Sequence, residues 1–160
     1  MRTLVCLGLA SAGIAGCAPA DVAGNYTGAL TNGSNDCNLS NFTPGDTSSG
    51  ITLNVTQSGA NVSAEVTGLA ALALAAFTGN NMPFVGSVSG TGFFVSRRGT
   101  NAMSRGTCAY TTAIDVSAQL NGNTLAGTVQ YFYQTNNAAD CRELSTCRTT
   151  QNIAFVRPPR

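Results

Sequence analysis

The stretch YTTAIDVSAQLNGNTLAGTVQYFY, residues 110–133, carries the clearest structural signal in the chain. Tyr110, Thr112, Ile114, Val116, Ala118 and Leu120 recur on a period of two. Asn121-Gly122-Asn123 supplies a turn, and Leu125, Gly127, Val129, Tyr131 and Tyr133 return on the same period. Successive strand side chains point to opposite faces, so the pattern predicts two long antiparallel strands with one face turned inward. Asn-Gly between alternating runs marks a tight hairpin, because its turn needs positive φ at both central positions.

Elsewhere in the chain the same alternation recurs. Ile51, Leu53 and Val55 answer Val62, Ala64 and Val66 across Ser58-Gly59-Ala60-Asn61, a second hairpin. Gly24 to Thr31 reads as a first strand, followed by a long polar loop from Asn32 to Gly50. Phe84 to Gly90 and Gly92 to Ser96 read as two short strands, and Thr149 to Val156 as the last, stopped by Pro158-Pro159. Leu69 to Phe77 breaks the period: Leu69, Leu72, Leu74 and Phe77 stand among alanines, which predicts a short helix or irregular plug packed on the sheet. A mobile apolar lid over a ligand pocket is the other reading of that stretch. The expected fold class is all-β, an antiparallel meander of about eight strands with one short helical or irregular apolar insertion. A closed barrel is favoured over a sandwich.

The N-terminus carries a different signal. From Leu4 to Gly16 the chain is uncharged and mostly apolar, long enough for a signal core and short of the roughly 20 residues of a spanning helix. Ile14-Ala15-Gly16-Cys17 resembles the lipobox of bacterial lipoproteins. The resemblance implies a signal peptide over residues 1–16, a lipidated Cys17 as first mature residue, a tether over residues 17–23, and a single β-domain over residues 24–160. The partner it implies is a membrane, held through acyl chains on Cys17, more than one of which stable anchoring requires. Ala18 after the cysteine favours the outer membrane of the cell envelope. The alternative is a cut after Ala18-Pro19-Ala20, which discards Cys17 and releases a soluble protein. Six N-x-S/T sequons begin at Asn25, Asn32, Asn38, Asn41, Asn54 and Asn61. Beside a lipobox, in a chain this rich in Asn, Ser and Thr, they read as composition.

Export places the chain in an oxidising compartment, where four cysteines besides Cys17 and the signal-core Cys6 can pair in three ways. Cys37 follows the first strand and Cys147 precedes the last. Closure of the sheet makes those ends neighbours, so Cys37 is expected to pair with Cys147. Cys108 opens one arm of the long hairpin and Cys141 follows the other, so these two are expected to pair. With no CxxC and no His, zinc is not expected.

Charge is scarce: eight cations, all Arg, and seven carboxylates. Once the expected signal peptide is removed with its Arg2, seven Arg balance seven carboxylates, and such a neutral chain lacks the electrostatic footprint for nucleic acid. Without His or Lys there is no Ser-His-Asp, Cys-His or Ser-Lys arrangement, and no phosphate loop is present. A glycosidase needs two converging carboxylates, one in an apolar pocket. Here they are scattered, with Asp140 and Glu143 in a loop and Asp115 on the outward face of a strand. No catalytic residue, cofactor or metal is expected, and a hydrolase is the least favoured class. Arg97, Arg98 and Arg105 form the only basic cluster, expected on a solvated loop, with a weak phosphate or sulfate site as the alternative.

Gly24-Asn25-Tyr26 resembles the G-x-W opening of lipocalins, with Tyr in place of Trp, and Arg157 matches the arginine that follows their last barrel strand. The resemblance implies a lipocalin-like barrel in which Arg157 stacks on Tyr26 as a cation–π pair. Two functions then compete. The favoured one is a non-catalytic envelope lipoprotein whose filled barrel is a structural or surface-interaction head for an envelope protein. The other is a carrier of a small apolar ligand, with gaps at Gly28, Ala64, Gly86, Ala118 and Gly127 opening a pocket rimmed by Tyr26, Tyr110, Tyr131 and Tyr133.

Overall fold

The structure is a computed structural model and describes residues 18–159. The signal peptide and the lipid-bearing Cys17 lie outside the described residues. Nine strands form: β1 (Gly24–Asn35), β2 (Thr47–Ser58), β3 (Asn61–Thr67), β4 (Phe84–Ser89), β5 (Gly92–Arg98), β6 (Met103–Arg105), β7 (Cys108–Asn121), β8 (Thr124–Thr135) and β9 (Thr149–Val156). Eight of them close an antiparallel up-and-down barrel, with β5 pairing β7 and β1 pairing β9. The short β6 pairs only with the start of β7.

Both predicted hairpins form in register, Ile114 opposite Tyr131 and Val55 opposite Ala64. The expected 32–50 loop is shorter than the sequence implied. β1 runs on to Asn35 and β2 starts at Thr47, because polar Thr31, Asn32 and Thr47 to Ser49 still complete ladders at the barrel's rim. Alternation marks buried faces, and at the rim neither face is buried. Between Gly28 and Ala29 the register slips past Gly50, whose φ of 73° makes a bulge that bends β2.

Strand directions define two ends. The hairpin turns after β2, β4 and β7 lie at the floor, where Val22, Tyr26, Phe93, Leu125 and Phe155 are buried. Part of the segment expected as a tether already belongs to this floor. The Ala20 amide donates to the Gly90 carbonyl, the Val22 amide to Gln57 Oε1, and Val22 is fully buried. The other end is the mouth. It carries the 36–46 loop, helix α1 (Leu69–Thr78), the one-turn 3-10 segment Ala139–Cys141 and short helix α2 (Arg142–Thr146). Both disulfides are here, Cys37–Cys147 and Cys108–Cys141, with Cα separations of 4.9 and 5.0 Å.

The Leu69 to Phe77 insertion is helical throughout. Alanine and leucine lose little on entering a helix, and Gly79 ends it at a φ of 75°, with its amide returned to the Ala75 carbonyl. Its C-terminal end is fastened to the barrel: Thr112 Oγ1 donates to the Phe77 carbonyl (3.1 Å) and the Thr100 amide to the Thr78 carbonyl (2.7 Å). Its N-terminal end has no side-chain cap, and Leu69 is 86% exposed.

Candidate functional site

The barrel is not filled. A cavity of about 770 Å³ runs from the mouth down to Phe93, Leu125 and Phe155. Its walls come from the inward positions of the strands, among them Leu53, Val66, Val95, Val116, Val129 and Ile153. Its mouth lies between Leu39 and Phe42 of the 36–46 loop and Leu69, Ala70, Ala73, Leu74 and Phe77 of α1. Among the described residues no Asp, Glu, Lys or Arg lines it.

The polar residues of its lining are Ser48, Ser49, Thr52 and Thr67 and, hydrogen-bonded to each other, Tyr131 and Gln151. Tyr131 donates its hydroxyl to Gln151 Oε1 (2.6 Å), and Gln151 Nε2 donates to Asn32 Oδ1 (2.7 Å). Burial pushes the Tyr131 phenol well above its ordinary pKa, so it stays a neutral donor. Phe77 meets Tyr131 edge to face, centroids 5.7 Å apart, which latches the helix to the cavity wall.

The four tyrosines do not form one rim, and only Tyr131 lines the cavity. Tyr26 is sealed in the floor: its hydroxyl donates to the Val22 carbonyl (2.8 Å), and Arg157 lies 5.6 Å from its ring centroid. Arg157 Nη1 donates to the Ala23 carbonyl (2.7 Å) and holds that stack closed. Tyr110 and Tyr133 pack edge to face on each other, centroids 5.3 Å apart, towards the mouth end of β7 and β8. Burial raises the Tyr133 pKa, and the neighbouring Tyr110 adds to the shift. Strand parity alone put all four inward, and it carries no information about height along the barrel.

The small residues also act differently from the expectation. Of the five proposed gaps, only Ala64 lines the cavity. At Gly28 and Gly127 a Cβ would run into the backbone of the neighbouring strand, so these glycines permit close approach and leave no void. The cavity arises from barrel closure with mid-sized side chains at mid-height.

The arginines are dispersed and all three lie in strands, not in a solvated loop: Arg97 and Arg98 end β5 and Arg105 ends β6. Arg98, at the outward end of β5, pairs with Asp115 (2.6 Å) and lies over Phe132, and Arg105 pairs with Glu143 (3.0 Å). Arg97 points inward and is only 6% exposed. Asp140 is tied down as well, accepting bonds from the Thr107 amide and hydroxyl, both at 2.8 Å. Those bonds hold its carboxyl below the ordinary value of 3.8.

Among the described residues no group of three His, Cys, Asp or Glu is placed to hold a metal ion. No family model, curated protein or solved structure matches the chain. The arrangement therefore speaks through its own chemistry: an apolar, mouth-accessible cavity with one neutral hydrogen-bonding wall.

Proposed function

We propose that the protein is a lipid-anchored envelope protein of bacteria whose barrel carries a small apolar ligand, in the manner of a lipocalin. The observation that supports this reading is the cavity of about 770 Å³, lined mainly by aliphatic and aromatic side chains and open beside α1. Ligand pockets span about 300–1,000 Å³ and combine apolar walls with a few placed polar groups. Tyr131 and Gln151 are such a pair. Among the described residues no carboxylate or cation lines the cavity, and the one titratable group there, Tyr131, is held neutral by burial, which favours binding over hydrolysis.

The proposed anchor also orients the barrel. Ala20 and Val22 are bound to the floor, only a few residues after Cys17. A lipid on Cys17 holds the floor at the membrane, in the outer membrane by preference, and turns the mouth away from it.

A second reading, the rigid interaction head, is favoured by Leu69, Leu72 and Met82, which are 86, 65 and 63% exposed beside the mouth and would suit an envelope protein partner.

Two measurements test the proposal. The intact mass of the detergent-extracted protein is expected to match residues 17–160 plus acyl chains; a lipid-free mass beginning at Asp21 overturns the anchor. Titration with the neutral fluorophore N-phenylnaphthylamine is expected to saturate at one site. Absence of saturable binding, with no lipid retained in native mass spectra, overturns the carrier and leaves the interaction head.

A further inference from the structure

Arg97 occupies the inward position above Phe93 and Val95 on β5, only 6% exposed and without a carboxylate partner. Its Nε donates to Asn80 Oδ1 (3.2 Å), and Nη2 donates to the Asn80 carbonyl. Among the described residues Nη1 has no hydrogen-bond partner and is not sealed from solvent, and the two ion pairs there are made by Arg98 and Arg105. The guanidinium lies over the Phe84 ring, 5.8 Å from its centroid, and Phe84 lines the main cavity. Desolvation lowers the Arg97 pKa, as expected of a buried cation facing only neutral dipoles. A buried charge is costly unless an opposite charge accompanies it.

The barrel wall is open at this point. Pairing of β3 with β4 stops at Ala64 opposite Phe84, so Glu65, Val66 and Thr67 have no β4 neighbour. The gap is spanned by the N-terminal half of α1 and the chain after it. A cleft of about 320 Å³ remains, lined by Val66, Gly68, Leu72, Asn81, Met82 and Arg97. Glu65 is the only carboxylate in that lining; it is exposed on the outward side and makes no ion pair with Arg97. Ala64, Val66, Thr67 and Gly68 line both the cleft and the main cavity, so the two spaces share a wall.

We propose that the ligand is an amphiphilic anion: its apolar chain lies in the main cavity, and its anionic head sits in the side cleft against Arg97. This rests on the carrier reading above. A carboxylate placed there supplies the missing counter-charge and accepts charge-assisted bonds from the unoccupied guanidinium edge. The main cavity, with no charged side chain among the described residues, offers such a head only neutral partners: Tyr131 and Gln151, already bonded to each other, and the hydroxyls of Ser48, Ser49, Thr52 and Thr67.

The test is competition against bound N-phenylnaphthylamine by dodecanoate and by dodecanol, which share a chain and differ in the head. The full chain is expected to bind dodecanoate roughly tenfold or more tighter than dodecanol, the scale of a desolvated charge-assisted bond. Arg97→Gln is expected to bring the acid down to the alcohol's affinity and leave the alcohol unchanged, whereas Arg97→Lys retains part of the preference. Saturable probe binding with no preference for the acid overturns the anionic head and leaves the carrier reading standing. No probe binding overturns both. Because the acid-to-alcohol ratio is read on the unsubstituted protein, the proposal stays testable even where Arg97→Gln fails to fold.

Discussion

Gly28 lies directly opposite Phe155 in the seam between the first and last strands, and the Phe155 ring occupies the space that a side chain at position 28 would need. A Cβ there would approach Phe155 Cα and Cδ1 at 2.6 and 2.7 Å. The seam closes the barrel, and Phe155 is also part of the cavity's floor. Gly28→Ala is therefore expected to destabilise the fold by about 1–3 kcal/mol, the usual cost of overpacking a tight site. The check is the midpoint of chemical denaturation, with the slope unchanged.

The Cys37–Cys147 bridge spans 110 residues of sequence, and Cys108–Cys141 spans 33. In the chain-entropy picture long loops give roughly 3–5 kcal/mol each, the longer one more. Replacing the Cys37–Cys147 pair by serines is expected to cost more stability than replacing Cys108–Cys141. It should also weaken probe binding, because Cys37 fixes the loop that brings Leu39 and Phe42 to the mouth. Denaturation curves and probe titrations of the two double variants compare the effects.

Asp140 gives the mouth a pH dependence of known sign. Its carboxyl is held below the ordinary value of 3.8, first by the Thr107 amide bond and next by the Thr107 hydroxyl bond. A depressed carboxylate contributes stability that is present above its unfolded pKa and lost as pH falls through the folded one. Asp140→Asn is expected to lower stability at neutral pH and to converge with the unsubstituted protein as pH falls through the depressed carboxyl pKa of the folded state. Thermal midpoints measured across that range decide it.

The chain contains no tryptophan, so a single one is a clean reporter. Phe77→Trp keeps an aromatic ring against Tyr131 at the cavity wall. Its emission is expected to respond to dodecanoate in a saturable way, with stability changed by less than about 1.5 kcal/mol. Phe77→Ala instead removes the latch of α1 and is expected to weaken ligand binding several-fold. Emission from the Phe77→Trp variant that does not respond would place the ligand away from the helix.

The features of the fold that were legible in the sequence are local ones. The alternation of Ile114, Val116 and Ala118 against Leu125, Gly127 and Val129 is the same in isolation as in the barrel, because each strand residue exposes its face regardless of distant partners. The cysteine pairing followed from topology once β1 and β9 were taken as neighbours. Short-range composition also made helix α1 legible, since Leu and Ala over residues 69–78 meet no opposing strand pattern.

The strand pattern, the hairpins, the meander and the two disulfides could thus be read from the order of residues. Three further properties emerge only when the barrel is assembled: it is hollow, Tyr131 alone of the four tyrosines meets the cavity, and Arg97 is buried beside it with no counter-charge. Periodicity assigns a side chain to a face and nothing more. Its height along the barrel, the curvature that glycines such as Gly28 allow, and the void left at mid-height are set by how eight strands close on one another. That closure joins residues more than a hundred positions apart.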